Sequence, residues 1–182
     1  EPRDPLSILI MQIKSLLNDF LDHLEIEKNR SKQTVQNYDF YLKRFIEFAK
    51  NPVPEQISGE TVRRYRLWLN RFTDKFGHEL QKSTQNYHLI ALRSFFKYLA
   101  KRDIKTLPAE KIELAKVPMR EVQFLEGNDL ERLLAAPNVS EEAEKNNILS
   151  LRDKTVLELF FSTGMRVSEL AGRRRIDINI KN

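Results

Sequence analysis

Residues 160 to 172 read FFSTGMRVSELAG. Arg166 stands directly after a Gly-Met break between two helical patterns, and Glu169 follows three residues later, within reach on the same helical face. A guanidinium so placed is charged at any relevant pH and offers parallel donors to an oxyanion; the plain alternative is a helix-start arginine in a surface ion pair. Arg173, Arg174 and Arg175 come next, three adjacent cations suited to a polyanion or simply to water. A second set of polar groups lies upstream, where TVQNY at 34–38 and STQNY at 83–87 recur at two helix starts, with Arg44 and Arg93 at the same offset. Helix starts are rich in capping residues, which is one account of the echo; the sharper one has two helix N-termini presenting amide, hydroxyl and guanidinium groups to one phosphate-rich partner.

The elements that must carry these groups are helical. Leu6, Leu9, Ile10, Ile13, Leu16, Leu17, Phe20, Leu21 and Leu24 are spaced by threes and fours, the mark of an amphipathic helix. Ser31 is placed to cap a second helix with Val35, Tyr38, Leu42, Phe45, Ile46 and Ala49 on its stripe, stopped by Asn51-Pro52. Ser58 is placed to cap a third (Val62, Tyr65, Leu69 and Phe72 inward) and Ser83 a fourth (Tyr87, Ile90, Ala91, Ser94, Phe95, Tyr98 and Leu99 on one face). Four such helices with short connections make a bundle. Pro108 and Pro118 then fall in a stretch without sustained period, which reads as an extended linker. Beyond it, Asn128 and Glu131 have capping-box spacing for a helix limited by Pro137, a further helix runs from about Ser150, and Gly164 suits its C′ position. RIDINI alternates as a strand would, without a partner strand, so the second domain is expected to be incomplete.

The 182 residues are 41% apolar and 31% charged, a balance that supports a packed core. Cysteine is absent, and His23, His78 and His88 lack metal-ligand spacing, so neither a metal nor a cofactor is expected. No apolar run is long enough for a membrane span and no signal-peptide pattern opens the chain, whose first residue is Glu1, so a cytoplasmic and processed or shortened protein is expected. The net charge of +5 is uneven: residues 1–107 hold 19 Lys+Arg against 13 Asp+Glu, and residues 108–182 hold 12 against 13. A basic excess confined to the bundle suits a polyanion-binding face or an ordinary solvated one.

The phrase STGMRVSEL, preceded by LRDKTVLELFF and followed by RRRIDINI, resembles the first-arginine motif of tyrosine site-specific recombinases, the integrase and Xer-type group. STQNYHLIALRSFFKYL resembles the last long helix of that family's core-binding domain, and LPAEKIELAKVPMREVQFLEGNDLERLL its linker and catalytic-domain entry. The resemblance implies a mainly α architecture: a four-helix SAM-like core-binding bundle at 1–107, a linker at 108–122, and the helical beginning of an α+β catalytic domain at 123–182. It implies metal-free transesterification, in which a tyrosine attacks a DNA phosphodiester and Arg166, oriented by Glu169, neutralises charge on the phosphorane. The family's strand-turn lysine, His-x-x-Arg pair, further His or Trp and nucleophilic tyrosine have no counterpart here. All five tyrosines, Tyr38 to Tyr98, precede the linker, so the chain alone is expected not to cleave DNA.

The resemblance further implies a clamp on double-stranded DNA, with the second and fourth helices toward the major groove. Helix two would offer Lys32, Gln33, Gln36, Asn37, Lys43 and Arg44, and helix four Lys82, Gln85, Asn86, His88, Arg93 and Lys97. Amides would read bases and cations grip phosphates. Tyr41, Phe48, Trp68, Phe95 and Phe96 read as core rather than as base-stacking groups. A full-length relative would work as a tetramer on paired sites. Two competing readings are a naturally short, non-catalytic DNA-binding protein on the same scaffold and a helical protein-interaction module with an incidental basic face.

Overall fold

Ile13, Leu16, Leu17 and Phe20 are all buried on one side of helix α1, Ile13–Asp22, so the stripe in the sequence is the stripe in the core. The computed structural model to which this helix belongs describes residues 13–119, 121–138 and 147–177. Apolar positions 6, 9 and 10 of the expected first helix lie outside the described residues. A π-turn, His23–Glu27, ends α1, and Asn29 follows in the left-handed region at φ 46°. Two compact units divide it, residues 1–119 and 120–182.

In the first unit, Ser31 caps α2, Lys32–Phe48, its hydroxyl accepting the Thr34 N–H at 3.3 Å. Ser58 caps α3, Gly59–Arg71, in a reciprocal box with Thr61. Helix α4, Lys82–Lys101, starts differently from the reading above: Gln81 is the N-cap residue and Ser83 lies inside the first turn. Gln85 instead steadies this entry by donating to the Leu80 carbonyl at 2.8 Å. Helix α4 is the bundle's centre, with Leu89, Ala91, Leu92, Phe95, Phe96, Tyr98 and Leu99 buried against α1, α2 and α3. Arg102 ties its end to α1, donating to the Tyr98 hydroxyl at 2.6 Å and to Asp19 at 3.4 Å.

The stretch after α4 does not leave the bundle at once. A 3-10 turn, Ala109–Lys111, buries Ala109 and Ile112 in the core, and Leu114 packs on its edge. From Val117 to Leu125 the described apolar side chains are exposed, Met119 at 93%.

The second unit comprises α5, Gly127–Ala135, α6, Asn147–Thr163, and α7, Val167–Ala171. The capping box expected of Asn128 and Glu131 does not form, because α5 begins at Gly127 with Glu126 before it and no side-chain cap. Gly164 does terminate α6, at φ 65°, its N–H reaching the Phe160 carbonyl at 2.9 Å. The expected strand fails where it can be seen: Arg175–Asp177 is a 3-10 turn, held by Asp177 accepting the Arg174 N–H at 2.8 Å, and residues 178–180 lie outside the described residues. Among the described residues the fold is mainly α, without a strand beyond one isolated bridge between Thr73 and Glu79. None of its described helices is long and apolar enough to cross a membrane.

Candidate nucleic-acid interface

Once Leu42, Phe45 and Ile46 of α2 face the core, Gln33, Asn37, Phe40 and Arg44 must share an outward stripe, being four, three and four residues apart. Gln33 and Asn37 are exposed and linked to each other at 3.2 Å, and Lys32 and Gln36 are exposed beside them. Lys43 is exposed but paired with Asp39 at 2.6 Å, which takes up part of its charge. Arg44 is half-buried. Its guanidinium carbon lies 4.6 Å from the centres of both the Phe40 and Phe72 rings, a cation held against two aromatic faces.

On α4 the candidates separate. Lys82 and Lys97 are exposed, Lys97 at 3.8 Å from Glu110, and Arg93 is half-buried without a partner among the described residues. Asn86 and His88 correct the sequence reading, since neither is a surface group. Asn86 is 9% exposed, donating to the Ala115 carbonyl at 2.8 Å and accepting the Ala115 N–H at 2.9 Å, so its amide pins the 108–115 segment rather than meeting a base. His88 is 1% exposed, between the Thr84 carbonyl at 2.9 Å and Arg44 at 3.4 Å. Burial, and secondarily Arg44, pushes its imidazole below the usual histidine range, the Thr84 bond opposing. Gln85 is half-buried with its N–H spent on Leu80. The two QNY echoes are therefore not equivalent: TVQNY enters at the third residue of α2, whereas STQNY enters at the second residue of α4.

Sequence reasoning missed two features. Phe40, 52% exposed on an otherwise polar stripe, was detectable as an aromatic four residues before Arg44. A cleft of about 290 Å³ between α3 and α4 gathers Arg63, Arg66, Asn70 and Lys82 over Leu69 and Leu89, with no acidic side chain in its lining. The Arg-Arg-Tyr-Arg run at 63–66 was its signal. Tyr41, Phe48 and Trp68 pack on the core's edge and Phe95 and Phe96 lie within it, in line with their reading as core.

In the second unit Arg166 is the N-cap residue of α7, extended at φ −76°, ψ 153°. Glu169 reaches back, accepting the Arg166 backbone N–H at 2.8 Å and its Nη1 at 3.1 Å. The backbone bond first, and then the guanidinium, hold the Glu169 carboxyl below the usual carboxylate range. The Arg166 side chain is 82% exposed, so the rest of its donor fork faces outward.

A family model described as phage integrase, N-terminal SAM-like domain, matches residues 17–103, which is the stretch from α1 through α4. Tyrosine recombinase XerC of Pelobacter propionicus is 33% identical over 87% of this chain and 50% of its own length. The XerC proteins of Thermodesulfovibrio yellowstonii and Bacillus subtilis are 32% and 30% identical, over 91% and 92% of this chain and 51% and 53% of theirs. The chain belongs to the tyrosine recombinase family. It spans about half the length of the curated recombinases it matches. No solved structure matches it. The similarity to these recombinases extends past the bundle, since each match takes in more of the chain than residues 17–103.

Proposed function

We propose that this chain is the DNA-binding part of a tyrosine recombinase, a protein whose full-length form exchanges strands through a phosphotyrosyl intermediate as a tetramer on paired sites. Membership of the family carries the reading, and the exposed surface of α2, with Lys32, Gln33, Gln36, Asn37 and Arg44 uncommitted to any acidic partner among the described residues, supports it. On this reading the bundle of 1–107 is the core-binding domain, 108–122 the linker, and 123–182 catalytic-domain sequence. Lys32, Lys43, Lys82, Arg93 and Lys97 grip phosphates, while Gln33, Gln36 and Asn37 face base edges. Arg166, steadied by Glu169, neutralises the scissile phosphate. The 182 residues do not cleave DNA by themselves, because all their tyrosines lie at or before Tyr98, among the bundle's helices; covalent capture of a suicide duplex by this chain contradicts that.

Fluorescence anisotropy of a labelled duplex, titrated with the chain at several salt concentrations, tests the proposal. Log K should fall linearly with log salt, with a slope of about −0.9 per phosphate neutralised. Arg93→Ala should cost about 1 to 3 kcal/mol on all duplexes alike. Salt-independent or absent binding sinks the reading and favours a protein-interaction module.

A further inference from the structure

Arg44 is held as none of its neighbours on α2 is. Besides the two rings at 4.6 Å, its Nη1 donates to His88 Nε2 at 3.4 Å. The direction follows from the tautomer: His88 Nδ1 lies 2.9 Å from the Thr84 carbonyl oxygen, which can only accept, so Nδ1 carries the proton and Nε2 the lone pair. The imidazole is itself fixed, buried with its ring centre 4.5 Å from that of Tyr41. Groups from α2, from the residue following α3 and from α4 thus restrain one guanidinium, whose remaining N–H donors have no partner among the described residues.

Side-chain freedom lost before binding is not lost again on binding. A phosphate can be met from many directions and gains little from such restraint, whereas a base edge must be met in its plane. The company Arg44 keeps points the same way. Gln33 and Asn37, on its stripe, are carboxamides suited to base edges, and the half-exposed ring of Phe40 fits apolar base surface better than hydrated backbone. Lys32 and Lys43 stand to the side of the stripe, where phosphates would flank a helix in a groove. We infer that Arg44 is a base-reading group, set for the O6 and N7 acceptors of a guanine in the major groove, and that His88 is the residue that positions it. The inference rests on the DNA-binding reading above.

The test begins with duplexes enriched from a random-sequence pool by the 182-residue chain. These are resynthesised with 7-deazaguanine, which lacks the N7 acceptor, in place of one guanine at a time. At one position the wild-type chain should lose about tenfold in affinity, one charge-assisted hydrogen bond of the pair. Arg44→Met, which has no donor to offer, should bind the guanine and 7-deazaguanine duplexes equally. His88→Gln, whose side-chain carbonyl can take the same N–H, should keep part of the discrimination; His88→Leu should lose it while the salt dependence of binding stays as in wild type. A wild-type chain indifferent to 7-deazaguanine at every position overturns the inference without any variant having to fold. Full discrimination by His88→Leu overturns the role of His88. Salt-dependent binding that persists through either result leaves the DNA-binding proposal intact, whereas failure to enrich or bind any duplex removes both.

Discussion

The two units are built from the same material and use it differently. Amphipathic helices occur in both, yet every buried side chain among the described residues lies in the first unit, between Ile13 and Ile112, and in 121–177 no described side chain is buried. Phe95, in one Phe-Phe pair, is fully buried, whereas Phe161, in another, is 60% exposed. A helical stripe becomes core only where other stripes face it, and α4 has neighbours on several sides while α6, among the described residues, packs mainly on α5 and one 3-10 turn. The polar groups follow suit. In the bundle, Asn86 and His88 are buried and bonded to other elements; in the second unit, Arg166 and Glu169 bond to each other within a single helical turn. Long-range hydrogen bonds thus make the bundle specific, and local ones leave the Arg166 guanidinium available at the surface.

The widest gap should appear on truncating one aromatic in each unit. Phe95→Ala removes a ring packed 5.1 Å from Phe20 and 6.3 Å from Phe96, and should destabilise the bundle by about 3 to 5 kcal/mol. Phe161→Ala should change stability by no more than about 0.5 kcal/mol. Urea unfolding followed by circular dichroism measures both, and equal losses would abolish the distinction. Asn86→Ala comes next. It strands both the N–H and the carbonyl of Ala115 beside a buried helix face, at about 1 to 3 kcal/mol. Amide exchange should report it locally, with the Ala115 N–H losing protection first, while an unchanged Ala115 amide would mean that the segment is held by Ala109 and Ile112 alone.

Features set by adjacent residues were legible in the sequence. Ser31 and Ser58 cap because the acceptor and the N–H it takes are three residues apart, and Gly164 ends α6 because glycine, without a Cβ, adopts φ 65° at no steric cost. Features set by distant residues were not. Asn86 and His88 look like surface polar groups until Ala115, twenty-nine positions on, and Arg44, forty-four positions back, come to lie beside them. Ser83 and Asn128 look like caps but are not, since packing and Gln85 choose where α4 begins and α5 starts one residue before Asn128. The Arg166 and Glu169 pair was legible as a spacing, being local, while the anchoring of Arg44 needed three elements.

The smallest expected effect is also the one that separates the units by pH. Burial holds the His88 imidazole below the range it has in an unfolded chain, about 6.5. Above that range both states are neutral there, and the bundle keeps the full contribution of a buried, bonded ring. As pH falls, the unfolded chain takes the proton first, so stability declines as pH drops through the unfolded and then the folded value. Protonation in place would set an imidazolium against Arg44, with the Tyr41 and Tyr65 rings the other groups packed around it. The bundle's Tm should therefore hold steady from roughly pH 8 to 7 and slope downward below about 6.5, and His88→Gln should flatten that slope. In the second unit the sign reverses. Glu169 has its carboxyl held low by Arg166, so whatever the pair contributes is present above the ordinary carboxylate range and lost only in stronger acid. Melting curves of wild type and His88→Gln across this range decide it: parallel slopes would show that the acid sensitivity belongs to some other group, and that His88 is a packed ring with no part in holding Arg44 through its charge state.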